Sequence, residues 1–178
     1  MTDEVVLGLR ALAHPLRLQL LSLVTGAPAS AAEASRALGT THANASYHLR
    51  VLEHAGLVRV VEKVGVRGGQ ARRYRHEASS HPPAPGDELR AGDSATRQAR
   101  ADFVAVMAVE LQRRAGWLAG GAATFTDAEL WVSAGEWGAA VRAVNQVVAR
   151  LHAVAVAPAA PGSTRVSMTV ALFPMAPR

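Results

Sequence analysis

Apolar residues recur at three- and four-residue intervals through residues 3–25, with Val6, Leu9 and Ala13 on one face and Leu16, Leu20 and Leu23 on another. That spacing predicts two amphipathic helices. His14-Pro15 separates them, because proline suits the first turn of a new helix and disfavours helical geometry in the residue before it. Gly26 and Pro28 are expected to stop the second helix. The stretch "SAAEASRALG" predicts a short third helix with a capping box, Ser30 taking a backbone N–H and Glu33 reaching back, and Gly39 ends it. After a tight turn, Thr41 is the expected N-cap of a fourth helix from about His42 to Ala55, with Gly56 as its stop. "LVRVVEKV" then alternates as a strand, "GVRGGQ" supplies a turn, and "ARRYRHE" reads as the returning strand.

The pattern then breaks. "SSHPPAPGDELRAGDSA" is rich in proline, glycine and serine and cannot build a core, so residues 78–93 read as a linker. A long helix is expected from about Ser94 to Leu118, with Phe103, Met107, Leu111 and Leu118 near one stripe and Val106 and Val109 widening it. "AELWVS" reads as a short strand. Ser133 and Glu136 form a second capping box, opening a helix in which Trp137, Val141, Val144, Val148 and Leu151 make a seam. "TRVSMTVALFP" closes the chain as a strand with Val166, Met168, Val170 and Leu172 on one face. The expected fold class is therefore α+β, mainly α with a small β component. Residues 1–77 form one unit and residues 94–178 a helix-strand-helix-strand region.

Composition narrows the chemistry. The 178-residue chain is 49% hydrophobic, enough to bury a core, and it has no cysteine. Disulfides, thiolate metal sites and cysteine nucleophiles are thereby excluded. No run reaches the length of a membrane span, and the N-terminus carries Asp3 and Glu4 where a secretory signal carries bases. A soluble, cytoplasmic protein with no membrane partner is expected. Of the nineteen basic residues only Lys63 is lysine, a bias that fits a high-GC bacterial source. The formal charge of +5 is unevenly placed: residues 1–77 hold ten Lys+Arg against six Asp+Glu, the remainder nine against eight. Such a surplus makes either a solvated face or a surface for a polyanion.

The fourth helix carries the candidate site. On a helical wheel Ala45, Leu49 and Leu52 point together, while Ala43, Ser46, Tyr47, Arg50 and His54 gather on the opposite side. Small residues near the start permit close approach to a groove floor, and hydrogen-bonding groups with a cation follow. Such a face fits the major groove of double-stranded DNA. Arg67, Arg72 and Arg73 on the hairpin are placed for phosphates or a minor groove. Each feature alone also describes an ordinary surface helix beside a solvated hairpin; their order along the chain favours DNA.

In that order the sequence resembles the ArsR-type winged helix-turn-helix repressors over about residues 4–77. "ALAHPLRLQLLSLV" is similar to their opening helix, and "SYHLRVLEHAGLV" matches their most recognisable stretch. The resemblance implies a homodimeric transcriptional repressor. It implies base and phosphate contacts from Thr41, His42, Ala43, Asn44, Ser46, Tyr47 and Arg50, with the hairpin as wing. His48 takes the place of the family's histidine before the core leucine, and its position at the edge of the buried face favours packing or phosphate contact over base reading. The chain departs from the metal-sensing branch. The helix before the recognition helix reads "AAEASRAL", without a cysteine pair, and the long helix at 94–118 has no histidine. No metal and no cofactor are expected.

For the second half, the long helix is the first candidate for a dimer interface. Trp117, Trp131 and Trp137 are either part of the wall of a cavity for a small apolar effector or simply large core residues. A different function class is a protein-interaction module docking an acidic partner through its winged helix. An enzyme is the weakest reading, since neither a Ser-His-Asp arrangement, a phosphate-cradling glycine loop nor paired carboxylates on one face emerge.

Overall fold

The structure is a computed structural model that describes residues 2–66, 69–76 and 94–175. Among these are six helices and one three-stranded antiparallel sheet, an α+β fold. Helices α1 (Thr2–Leu12) and α2 (Pro15–Gly26) meet at His14-Pro15, as the sequence predicts. Proline occupies the first turn of α2, and the His14 ring caps it by accepting the Leu16 N–H at 3.2 Å. The Arg17 guanidinium closes the other side of the junction, donating to the carbonyls of Ala11 and, at 2.8 Å, Arg10. These are the carbonyls that the end of α1 leaves without helical partners.

Strand β1 (Ala29–Ser30) leads into α3 (Ala31–Leu38), and both halves of the capping box are formed: Glu33 N–H donates to Ser30 Oγ at 3.3 Å, and Ser30 N–H donates to the Glu33 carboxylate at 2.7 Å. Gly39 ends α3 at φ 63°, a conformation that glycine adopts at low cost. Thr41 then caps α4 (His42–His54), accepting the Asn44 N–H at 3.1 Å.

Strands β2 (Arg59–Val66) and β3 (Gly69–Arg75) pair as a hairpin, in the sheet order β1-β3-β2. The ladder slips by one residue between Val60 and Glu62, a bulge that sets Glu62 directly opposite Arg73. Strand β1 is too short to carry a periodic signal, and it joins the base of the wing by pairing Ala29 with Tyr74 and Ser30 with Arg73. Among the described residues the main buried cluster lies in this half: Leu20 and Val24 of α2, Leu49 and Leu52 of α4, and Tyr74 of β3 are all buried.

Helix α5 (Ser94–Ala115) packs on α1 and α2, and α6 (Ala134–Ala153) follows. The expected α5 stripe is split by the packing. Phe103, Val106 and Met107 are half-buried, but Leu111 and Leu118 are exposed, and the buried positions are Thr96, Ala99 and Glu110. Glu110 is 1% exposed. It is held by Arg113 Nη2 at 2.6 Å, Arg114 Nε at 3.8 Å and Gln19 Nε2 of α2 at 2.8 Å. Burial pushes its carboxyl up, but hydrogen bonds from Arg113 and Gln19, with the charges of Arg113 and Arg114, outweigh this and hold it below the usual carboxylate range.

The two strands expected at 128–133 and 164–174 are not formed: both segments lie outside helix and sheet. A strand needs a partner ladder as well as an alternating pattern, and among the described residues neither segment has one. The expected linker at 78–93 lies outside the described residues.

Candidate nucleic-acid interface

The fold presents α4 as the sequence wheel requires. Ala45, Leu49 and Leu52 are fully buried against α2 and α3, while Thr41, His42, Ala43, Asn44, Tyr47, Arg50 and His54 are exposed and Ser46 is half-exposed. The face is partly ordered by its own hydrogen bonds. Asn44 Nδ2 donates to Thr40 Oγ1 at 3.0 Å, and Arg50 Nε lies along the helix on the Ser46 carbonyl at 3.4 Å. The first turn of α4 contains no acid, so the positive end of the helix dipole is not neutralised there.

The two ends of this face differ. Residues 41–44 stand clear at the N-terminal end, whereas Tyr47, Arg50 and His54 border an open groove of about 430 Å³ shared with Leu7, Arg10 and Ala11 of α1. Arg10 is exposed and sits on the same groove as Arg50, a second cation that the sequence reading missed. Its own helix gives no sign of this; only the packing of α1 beside α4 shows it.

The wing arginines separate into distinct roles. Arg72 is 55% exposed at its side chain and makes one loose ion pair, 3.7 Å from Glu53. Arg73 is turned inward: its guanidinium lies 3.2 Å from Glu62, 3.5 Å from Glu33 and donates to the Pro28 carbonyl at 2.7 Å. It ties β3 to β2 and to the capping box of α3 rather than standing free for a phosphate. Glu33 is accordingly held below its usual range, chiefly by the Ser30 hydrogen bonds and also by Arg73 and Arg36, against a smaller opposing effect of burial. Arg67 lies outside the described residues.

His48 packs inward at 6% exposure, with its ring 4.4 Å from that of His14 and edge-on to Tyr47 at 5.0 Å. Its Nδ1 is buried without a hydrogen-bond partner. Burial holds both histidines below the ordinary value; the Arg17 charge adds to this for His14, and His14 and Arg17 add to it for His48. Both rings thus resist protonation in the folded state. An unfolded chain takes up those protons near pH 6.5, so this contribution to stability is complete above about pH 6.5 and is lost as the pH falls below it. The thermal midpoint is expected to drop between about pH 6.5 and 5.5, before Glu33 and Glu110 titrate, and His48→Gln should flatten that drop. A midpoint independent of pH over this window would refute the assignment.

Among the described residues Trp117, Trp131 and Trp137 stand in different surroundings. Trp131 is 95% exposed, Trp117 is 56% exposed with the Arg113 and Arg165 guanidinium groups 4.9 and 5.0 Å from its ring, and Trp137 is half-buried on α6. A ring open to solvent over nearly its whole surface walls no pocket.

A family model described as a helix-turn-helix domain matches residues 12–61, which run from the end of α1 through α4 into β2. No curated protein matches the chain. The helix-turn-helix with its hairpin supports a winged-helix, DNA-binding transcription regulator. Among the described residues no helix is long and apolar enough to cross a membrane.

Proposed function

We propose that the chain is a homodimeric, sequence-specific transcriptional repressor of the ArsR-like, non-metal-sensing kind, acting in the bacterial cytoplasm. Helix α4 enters the major groove and the β2–β3 hairpin grips the neighbouring backbone. The observation that carries this reading is the two-sidedness of α4: three fully buried apolar residues on one side, and on the other an exposed run of hydrogen-bonding groups with a cation, opening at an uncompensated helix N-terminus. Residues 41–44 and Ser46 contact base edges and phosphates, and Tyr47 and Arg50 extend the contact toward α1.

Dimer formation is supported by α5. Ala101, Val104, Ala108, Leu111 and Ala115, with Leu118 just beyond, repeat at alternating three and four residues, and all six are exposed. A seam of that period is self-complementary across a two-fold axis. A dimer doubles the recognition surface and suits a near-palindromic operator.

Gel retardation on the DNA flanking the chain's own gene, with excess nonspecific competitor, tests the reading; binding that the competitor abolishes would overturn it. The wing supplies a further prediction. Arg72→Ala should weaken binding to all duplexes alike and lower the slope of log K against log salt by about 0.9 for the lost phosphate contact. Arg73→Ala should instead loosen the hairpin base, seen as a lower thermal midpoint with DNA absent. Equal salt slopes for wild type and Arg72→Ala would remove Arg72 from the interface.

A further inference from the structure

We infer that the two segments around Trp131 and Val170, unpaired within the single chain, become strands on pairing with a second copy of this chain, so that the carboxy-terminal region completes a sheet between protomers. This deepens the homodimer clause of the proposed function and does not depend on the DNA clause.

Three observations carry it. First, the region is apolar but incompletely covered: among the described residues none of α6 is buried, and its seam of Trp137, Val141, Val144 and Val148 is only half-buried. Phe125, Leu130, Trp131, Val166 and Phe173 are 80, 76, 95, 74 and 50% exposed. At about 150–250 Å² per aromatic side chain, the open parts of Phe125, Trp131 and Phe173 alone amount to roughly 450 Å². The exposed aliphatic residues of the same segments bring the total near the roughly 800 Å² that each side of a standard stable interface buries.

Second, the later segment has the composition of a strand without the ladder. Residues 166–175 contain no charged side chain, and proline interrupts them only at Pro174. Natural sheet edges left in water are blunted by charge, proline or bulges; this segment carries no charge, and its one proline stands near its end. An uncharged strand also pairs with its own copy about a two-fold axis without setting like charges opposite each other, which would be destabilising. A partner carrying the complementary edge is therefore already encoded in the same chain.

Third, the patch continues the exposed α5 seam. Leu118 ends that seam, and Arg165, at the start of the second segment, lies over Trp117 one residue before it. An axis running along α5 brings both protomers' segments to the same end of the dimer.

The absence of native cysteine makes the test clean. Single cysteines at Ser167, Met168, Thr169 and Val170 in the full chain, oxidised at low micromolar concentration, are expected to give disulfide-linked dimers, with yields alternating along the strand. Sedimentation of the unmodified chain should show a dimer, and Leu172→Asp should weaken it at least tenfold while binding of an isolated operator half-site is retained. A monomeric wild type, or a dimer that cross-links through Leu111→Cys but at none of the four strand positions and is unmoved by Leu172→Asp, would overturn the inference. A chain that dimerises through these segments yet binds no DNA would leave the inference standing and sink the DNA reading instead.

Discussion

Leu49→Ala is expected to lower the stability of the winged-helix half by about 2–5 kcal/mol, the range for a large aliphatic side chain removed from a closed core. Leu49 is 0% exposed and belongs to the same cluster as Leu20, Val24 and Leu52. Its loss opens a cavity that helices pinned by caps at both ends of α3 and at the start of α4 cannot easily collapse. For a unit of this size the thermal midpoint should fall by roughly 10–30 °C. A loss below about 1 kcal/mol in urea titration would show that α4 does not meet the core through this residue.

Arg50→Ala, one residue further along, should have the opposite profile. The side chain is exposed and its only hydrogen bond described is to the Ser46 carbonyl of its own helix, so folding should be nearly unchanged. Specific DNA binding should weaken by about 1–3 kcal/mol, roughly 5- to 150-fold, with discrimination against a mutated operator reduced. Tyr47→Ala should weaken binding as well. Unchanged affinity in both variants, with intact folding, would remove α4 as the recognition helix. The pair of neighbours thus separates stability from recognition, because a helix turns about 100° per residue and adjacent side chains face different surroundings.

Local signals were the legible part of the sequence. Ser30 with Glu33, Gly39, Thr41 and His14-Pro15 each fix a helix end through atoms only a few residues away, and each is found where the sequence places it. The exposed face of α4 was legible for the same reason, since it follows from helical periodicity alone. Arg73 was not. Its inward role depends on a hairpin register shifted by a bulge and on a two-residue strand, neither of which leaves a periodic trace. Glu110 was hidden as well: its partner Gln19 is 91 residues away, and a lone acid between Val109 and Leu111 reads as surface. In the carboxy-terminal region, alternation predicted two strands that the chain does not form by itself, because it could not say what they would pair with. Pairing is a property of two strands, and an alternating pattern describes only one.

The carboxylate of Glu110 has one more implication. An apolar contact between α5 and α2 would tolerate small rotations at small cost, because methyl groups interchange neighbours freely. A buried anion is less tolerant: turning or sliding α5 by a single residue would carry Arg113 and Arg114 along but strip the carboxylate of Gln19, and losing a hydrogen bond to a buried charged group costs about 1–3 kcal/mol. Helix α5 is therefore keyed to α2 like a notched shaft in its collar, with a preferred setting that a purely apolar contact would not define.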